Sequence, residues 1–110
     1  MAKLLLHKVH DWEYMAQRCN YRVGDLANQW HVSRRQLVRW SYTLFGRNPR
    51  EWLREERLKN AIRKLGAQRC IKAVSSDLGF KQVSHFSREF KRQFGRSPAA
   101  FLASNESRLR

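Results

Sequence analysis

Two stretches of this chain gather guanidinium and ammonium groups without matching acids. Residues 33–47 carry Arg34, Arg35, Arg39 and Arg47 and no Asp or Glu, a net +4. Residues 81–96 carry Lys81, Arg88, Lys91, Arg92 and Arg96 against Glu89, again +4. A guanidinium offers a planar fork of donors that fits phosphate oxygens or a purine edge, while an ammonium acts as a point charge. A merely solvated face mixes signs, as Arg54-Glu55-Glu56-Arg57 does. The full chain of 110 residues has 23 Lys+Arg against 9 Asp+Glu, a formal charge of +14. The chemistry on offer is recognition of a polyanion.

Other chemistries find little support. No nucleophile–base pair or Gly-rich phosphate loop is visible, and His85 and Ser87, two positions apart on a basic segment, make no triad, so no enzyme and no cofactor are expected. Cys19 and Cys70 lie far apart, and His7, His10, His31 and His85 do not pair with either at metal-ligand spacing. Cys19 falls on an apolar helical face and reads as a small buried hydrophobe. Cys70 sits at an element boundary, where a thiol can react. Leu4-Leu5-Leu6 is too short for a signal-peptide core or a membrane span, which implies a cytoplasmic chain with no membrane partner. With 42% hydrophobic and 12% aromatic residues, a core is available despite the charge.

The basic stretches need elements to hold them, and the apolar spacing is helical almost throughout. Trp12, Met15, Ala16 and Cys19 form one stripe, and Val23, Leu26, Ala27 and Trp30 a second. Leu37, Trp40, Ser41 and Leu44 predict the buried side of a helix that opens on Ser33-x-x-Gln36, a capping-box spacing, and ends at Gly46. Asn48-Pro49 starts a helix running to about Leu65, with Leu58, Ala61, Ile62 and Leu65 inward. Ile71, Val74, Ser75 and Leu78 predict a short helix before Gly79-Phe80. Val83, Phe86, Phe90 and Phe94 predict a longer one, and Ser97-Pro98 a last short one with Phe101 and Leu102. No stretch alternates with a period of two. The fold class is all-α.

The chain also repeats itself. Phe45-Gly46-Arg47-Asn48-Pro49-x-x-Trp52 recurs 49 residues later as Phe94-Gly95-Arg96-Ser97-Pro98-x-x-Phe101, and Leu37 and Arg39 map onto Phe86 and Arg88. Leu26-Ala27 corresponds to Val74-Ser75, with one residue more before the second helix of the later copy. Each copy is a short helix, a tight turn and a longer helix ended by Gly. The small residues Ala27 and Ser75 allow the close crossing of a helix-turn-helix, whose second helix enters a DNA major groove. The two basic stretches coincide with the two second helices. The implied organisation is an N-terminal tail (1–10), a first helix-turn-helix subdomain (11–47), a connecting helix (48–65), a second subdomain (66–103) and a C-terminal tail (104–110).

Leu78-Gly79-Phe80 followed by Phe86-Ser87-Arg88-Glu89-Phe90-Lys91-Arg92-Gln93-Phe94-Gly95-Arg96-Ser97-Pro98-Ala99-Ala100-Phe101 resembles the second helix-turn-helix signature of the AraC/XylS transcription regulators. Leu26-Ala27, Val32-Ser33 and Leu37, with Trp52-Leu53-Arg54, Arg57-Leu58, Ala61 and Leu65, extend the resemblance over roughly residues 10–103. In size the chain is similar to the short members without a sensor domain, and Met1 favours a whole protein. The resemblance implies seven helices in two subdomains, a bacterial source, and one monomer laying two recognition helices into successive major grooves of a non-palindromic site. Grooves on one DNA face repeat every ~34 Å, which the connecting helix plus the subdomain radii can bridge. It also implies RNA polymerase as a partner of an activator. Ser41 departs from the family's usual Phe and Ser75 from its usual Ala; Trp40 or Phe45 is expected to make up the volume lost at Ser41.

The resemblance places Arg35, Val38 and Arg39 on the first recognition helix, and Val83, Ser84, Ser87 and Arg88 with His85 on the second, facing bases. Arginines suit guanine O6 and N7, and Val38 suits a thymine methyl. Arg34, Tyr42, Lys81, Gln82, Lys91 and Arg92 are better placed for phosphates, which fix register. Non-specific binding of RNA or single-stranded DNA would call for exposed aromatics. Trp30, Trp40, Trp52, Phe86, Phe90, Phe94 and Phe101 instead recur at buried spacing, which favours double-stranded DNA.

Overall fold

A computed structural model describes residues 9–109, with side-chain surroundings for 11–104. Among the described residues it holds seven α-helices and no strand: α1 (Val9–Arg18), α2 (Val23–Gln29), α3 (Arg34–Phe45), α4 (Pro49–Gln68), α5 (Ile71–Asp77), α6 (Val83–Phe94) and α7 (Pro98–Leu109). The chain divides into two compact units between Arg57 and Leu58, within α4.

Three helix limits differ from expectation. α1 begins at Val9, ahead of its apolar stripe, because a polar first turn needs no burial to be helical. α4 passes through Gly66, where a mid-helix glycine costs about 1 kcal/mol without forcing a stop. The stop is Arg69, at φ 56°, whose N–H donates to the Leu65 carbonyl at 2.9 Å. α7 continues through Ser104 to Leu109.

Both helix-turn-helix turns are closed by the same backbone device. After α2, His31 N–H donates to Asn28 O (3.1 Å) and Val32 N–H to Ala27 O (3.0 Å). After α5, Gly79 N–H donates to Ser76 O (2.9 Å) and Phe80 N–H to Ser75 O (3.0 Å). Each is a Schellman closure: one left-handed residue, then an apolar residue tucked back onto the helix. The residue that lengthens the second copy is Lys81, inserted between Phe80 and the start of α6. The left-handed position is Gly79 (φ 83°) in one turn but His31 (φ 54°) in the other. A side chain there costs roughly 1–2 kcal/mol. His31→Gly is therefore expected to stabilise the first unit by about 0.5–1 kcal/mol, net of glycine's looser unfolded state. Thermal unfolding should show a midpoint a few degrees higher; a lower midpoint would contradict this reading of the turn.

The first unit packs Trp12, Ala16, Cys19, Leu26, Ala27, Leu37, Trp40, Trp52 and Leu53 into one buried cluster. Burial of Cys19, with the negative charge of Asp25 adding, raises its thiol pKa, against a smaller opposing effect of Arg18. Trp12 is fully buried and meets Trp30, Phe45 and Trp52 edge-on, with centroids 5.0, 5.2 and 5.8 Å away. In the second unit Phe90 does the corresponding work, meeting Phe94 at 4.7 Å and Phe101 at 5.9 Å. Phe90 is the repeat partner of Ser41. Trp12 from α1 meets Phe45 and Trp52, the repeat partners of the two rings that Phe90 meets. Ser41 itself is fully buried, and its hydroxyl donates to the Arg47 carbonyl at 2.6 Å, bracing the turn after α3.

The inward stripes of α3 and α6 follow i, i+4, i+8: Leu37, Ser41, Phe45 and Phe86, Phe90, Phe94. Leu44, expected inward, is 40% exposed because Phe45, stacked on Trp52 at 4.4 Å, takes the core seat. Val83, also expected inward, is 38% exposed, since it opens α6 before the buried stripe begins at Phe86. Of the aromatics expected in the core, Trp40, Trp52, Phe86 and Phe90 are buried, and Trp30, Phe94 and Phe101 half-buried.

Candidate nucleic-acid interface

The outer face of α3 is set from both ends. Ser33 caps the start, its Oγ accepting from Gln36 N–H at 3.1 Å. Gly46 (φ 71°) closes the end, its N–H donating to Tyr42 O at 3.0 Å. With Leu37, Trp40 and Ser41 buried, Arg35, Val38, Arg39 and Tyr42 (i, i+3, i+4, i+7) line the opposite side. Arg35 and Arg39 are exposed, and Tyr42 is 53% exposed. Ser33, Arg35, Gln36 and Arg39 border one shallow, open, polar depression. Among the described residues neither Arg35 nor Arg39 has an acidic partner.

Arg34 is separated from this group. Its guanidinium lies over Gly24 of α2, so close that a Cβ there would sit 2.9 Å from Nη2. Gly24 gives little signal in the sequence beyond being a glycine inside a helical stripe, where it costs helix stability.

On α6 the matching side carries Ser84, Ser87, Arg88 and Lys91, all exposed except the half-buried Ser87. Lys81 and Gln82 are exposed in the turn before it. The His85 ring stands edge-on to Phe80 with centroids 5.2 Å apart, so one side is taken by protein while the residue remains exposed. Arg92 pairs with Glu89 at 3.3 Å, one turn back on the same helix. Arg88 and Lys91 have no acidic partner among the described residues.

Two arginines counted in the basic stretches serve the fold. Arg47 pairs with Glu55, and Arg96 Nη1 donates to Ser104 Oγ at 2.7 Å. They are repeat partners, and they tie the ends of α3 and α6 to the helices that follow. The helices that follow are capped alike: Asn48 Oδ1 accepts from Glu51 N–H (2.9 Å) and Ser97 Oγ from Ala100 N–H (3.1 Å). Glu55 is therefore engaged and Glu56 buried, so the acidic pair at 55–56 is not the solvated face its mixed charge implied.

Among the described residues no helix is long and apolar enough to cross a membrane. Residues 26–104 match a family described as a helix-turn-helix domain. Among solved structures, the chain is similar to a probable AraC family transcriptional regulator from Rhodopseudomonas palustris CGA009. The two are 24% identical with a TM-score of 0.64, over 87% of this chain and 94% of that one. This likeness shows a shared fold. Two Schellman-closed turns, each leading into a glycine-stopped helix with a basic outer side, sit within the matched residues: the chain belongs to the AraC-type helix-turn-helix family.

Proposed function

We propose that this protein is a sequence-specific regulator of transcription that lays α3 and α6 into successive major grooves of double-stranded DNA, as a monomer on a non-palindromic site. DNA-binding transcription regulation follows from the family. One observation supports the finer reading most. The outer sides of α3 and α6, 49 residues apart in the repeat, both carry exposed basic and polar groups that lack acidic partners among the described residues. Because these two helices differ in sequence, a single chain reads two different half-sites.

Arg35, Val38 and Arg39, and Val83, Ser84, His85, Ser87 and Arg88, are the groups proposed to meet bases. Arg34, Tyr42, Lys81, Gln82, Lys91 and Arg92 are proposed to meet phosphates, which sets register without reading sequence. RNA polymerase is the proposed partner on the promoter.

Lys91 tests this division. A lysine on a phosphate releases one condensed counterion, so Lys91→Ala is expected to weaken all duplexes by a common factor. It should also reduce the slope of log K against log salt by about 1. Titrations at several salt concentrations on two unrelated sites would check it. A loss confined to one sequence, with the slope unchanged, would move Lys91 into base readout.

A further inference from the structure

The repeat pairs the residues of α3 and α6 position for position in the sequence. At an offset of 49, Arg35, Val38, Arg39 and Tyr42 of α3 correspond to Ser84, Ser87, Arg88 and Lys91 of α6. Only Arg39 and Arg88 are the same residue. We propose that sequence discrimination is divided unequally: α3 reads two guanines through Arg35 and Arg39, whereas α6 reads one through Arg88. This rests on the DNA-binding reading above and says what that site selects.

Arg35 and Arg39 are exposed, border the same polar depression and have no acidic partner among the described residues. Arg34, the third arginine of that turn, is drawn away over Gly24 and leaves the pair to itself. Four residues of helix rise about 6 Å, just under two base steps at 3.4 Å. The two forks therefore reach purine edges one or two base pairs apart. Each guanidinium can take guanine O6 and N7 together, the pairing its geometry fits best.

The second surface lacks the counterpart of Arg35. Ser84 has a short side chain whose hydroxyl turns toward Gln82 Oε1 at 3.5 Å. A serine hydroxyl donates or accepts and pairs with any base, so it discriminates weakly. Lys91 in place of Tyr42 adds charge without shape. Arg92, next to it, is already engaged by Glu89. The α6 half-site should therefore be the more tolerant one.

The test uses the whole chain and duplexes carrying every single-base change across a site selected by it. Two guanine positions in one half-site and one in the other should each lose roughly 5- to 150-fold on substitution. Arg35→Ser should abolish one of the two preferences in the first half-site and leave the second half-site's profile unchanged. Ser84→Arg should create a new guanine preference in the second. If Arg35→Ser lowers all duplexes equally with every preference intact, or if the half-sites are equally stringent, the inference is overturned while the DNA-binding reading stands. If the wild-type chain shows no preference among duplexes, both fall.

Discussion

Trp12→Ala is expected to unfold the first unit while leaving the sequence of both recognition helices intact. Trp12 is fully buried and touches three aromatic rings edge-on, so truncation removes a large apolar volume and three ring contacts together. Such changes cost about 3–5 kcal/mol, comparable to the whole stability a core in a unit this small supplies. The indole N–H makes no hydrogen bond in the structure, so the loss is one of packing. Ser41 gives a sharper test. If Trp12 fills the space that Phe90 fills in the other copy, Ser41→Phe in the native background is over-packing and should cost about 1–3 kcal/mol. In the Trp12→Ala background the same change should restore stability. Circular dichroism and chemical denaturation of the single and double variants would show that change of sign. Strictly additive effects would mean that the two side chains do not share one space.

Arg39→Ala and Arg88→Ala are expected to weaken binding to the cognate site by roughly 5- to 150-fold each, the worth of one bidentate arginine–guanine pair. Neither guanidinium is committed to an acid among the described residues, so neither change should disturb the fold, and stability should stay within about 0.5 kcal/mol of wild type. The two losses should fall at different bases, one in each half-site, and add in the double variant because the positions share no partner. Loss of affinity equal for all sequences would reassign both residues to the phosphate backbone.

Much of the fold is legible in the sequence, because helical spacing and punctuation act locally. Ser33, Gly46, Asn48-Pro49, Gly95 and Ser97-Pro98 mark the ends that the structure uses, through bonds spanning a few residues. Tertiary packing decides what local spacing leaves open. Leu44 and Phe45 compete for a single core seat, and no periodicity says which wins. Nor does periodicity say that Trp12, 29 positions upstream of Ser41, meets Phe45 and Trp52. Gly66 reads as a stop, yet a helix held by buried Leu65 and Ala61 runs past it. On the surface, charge marks out α3 and α6 as the proposed recognition helices. It did not separate Arg47 and Arg96, tied to Glu55 and Ser104, from Arg35, Arg39 and Arg88, because pairing depends on the next helix rather than on composition.

The central claim is that α3 and α6 read sequence rather than coat a polyanion. Selection from a pool of randomised duplexes by the intact wild-type chain tests it most directly. Enrichment of one asymmetric site is expected, with two unlike half-sites about one helical turn apart, each containing guanine. Recovery of the pool unchanged, every duplex bound alike, would contradict it.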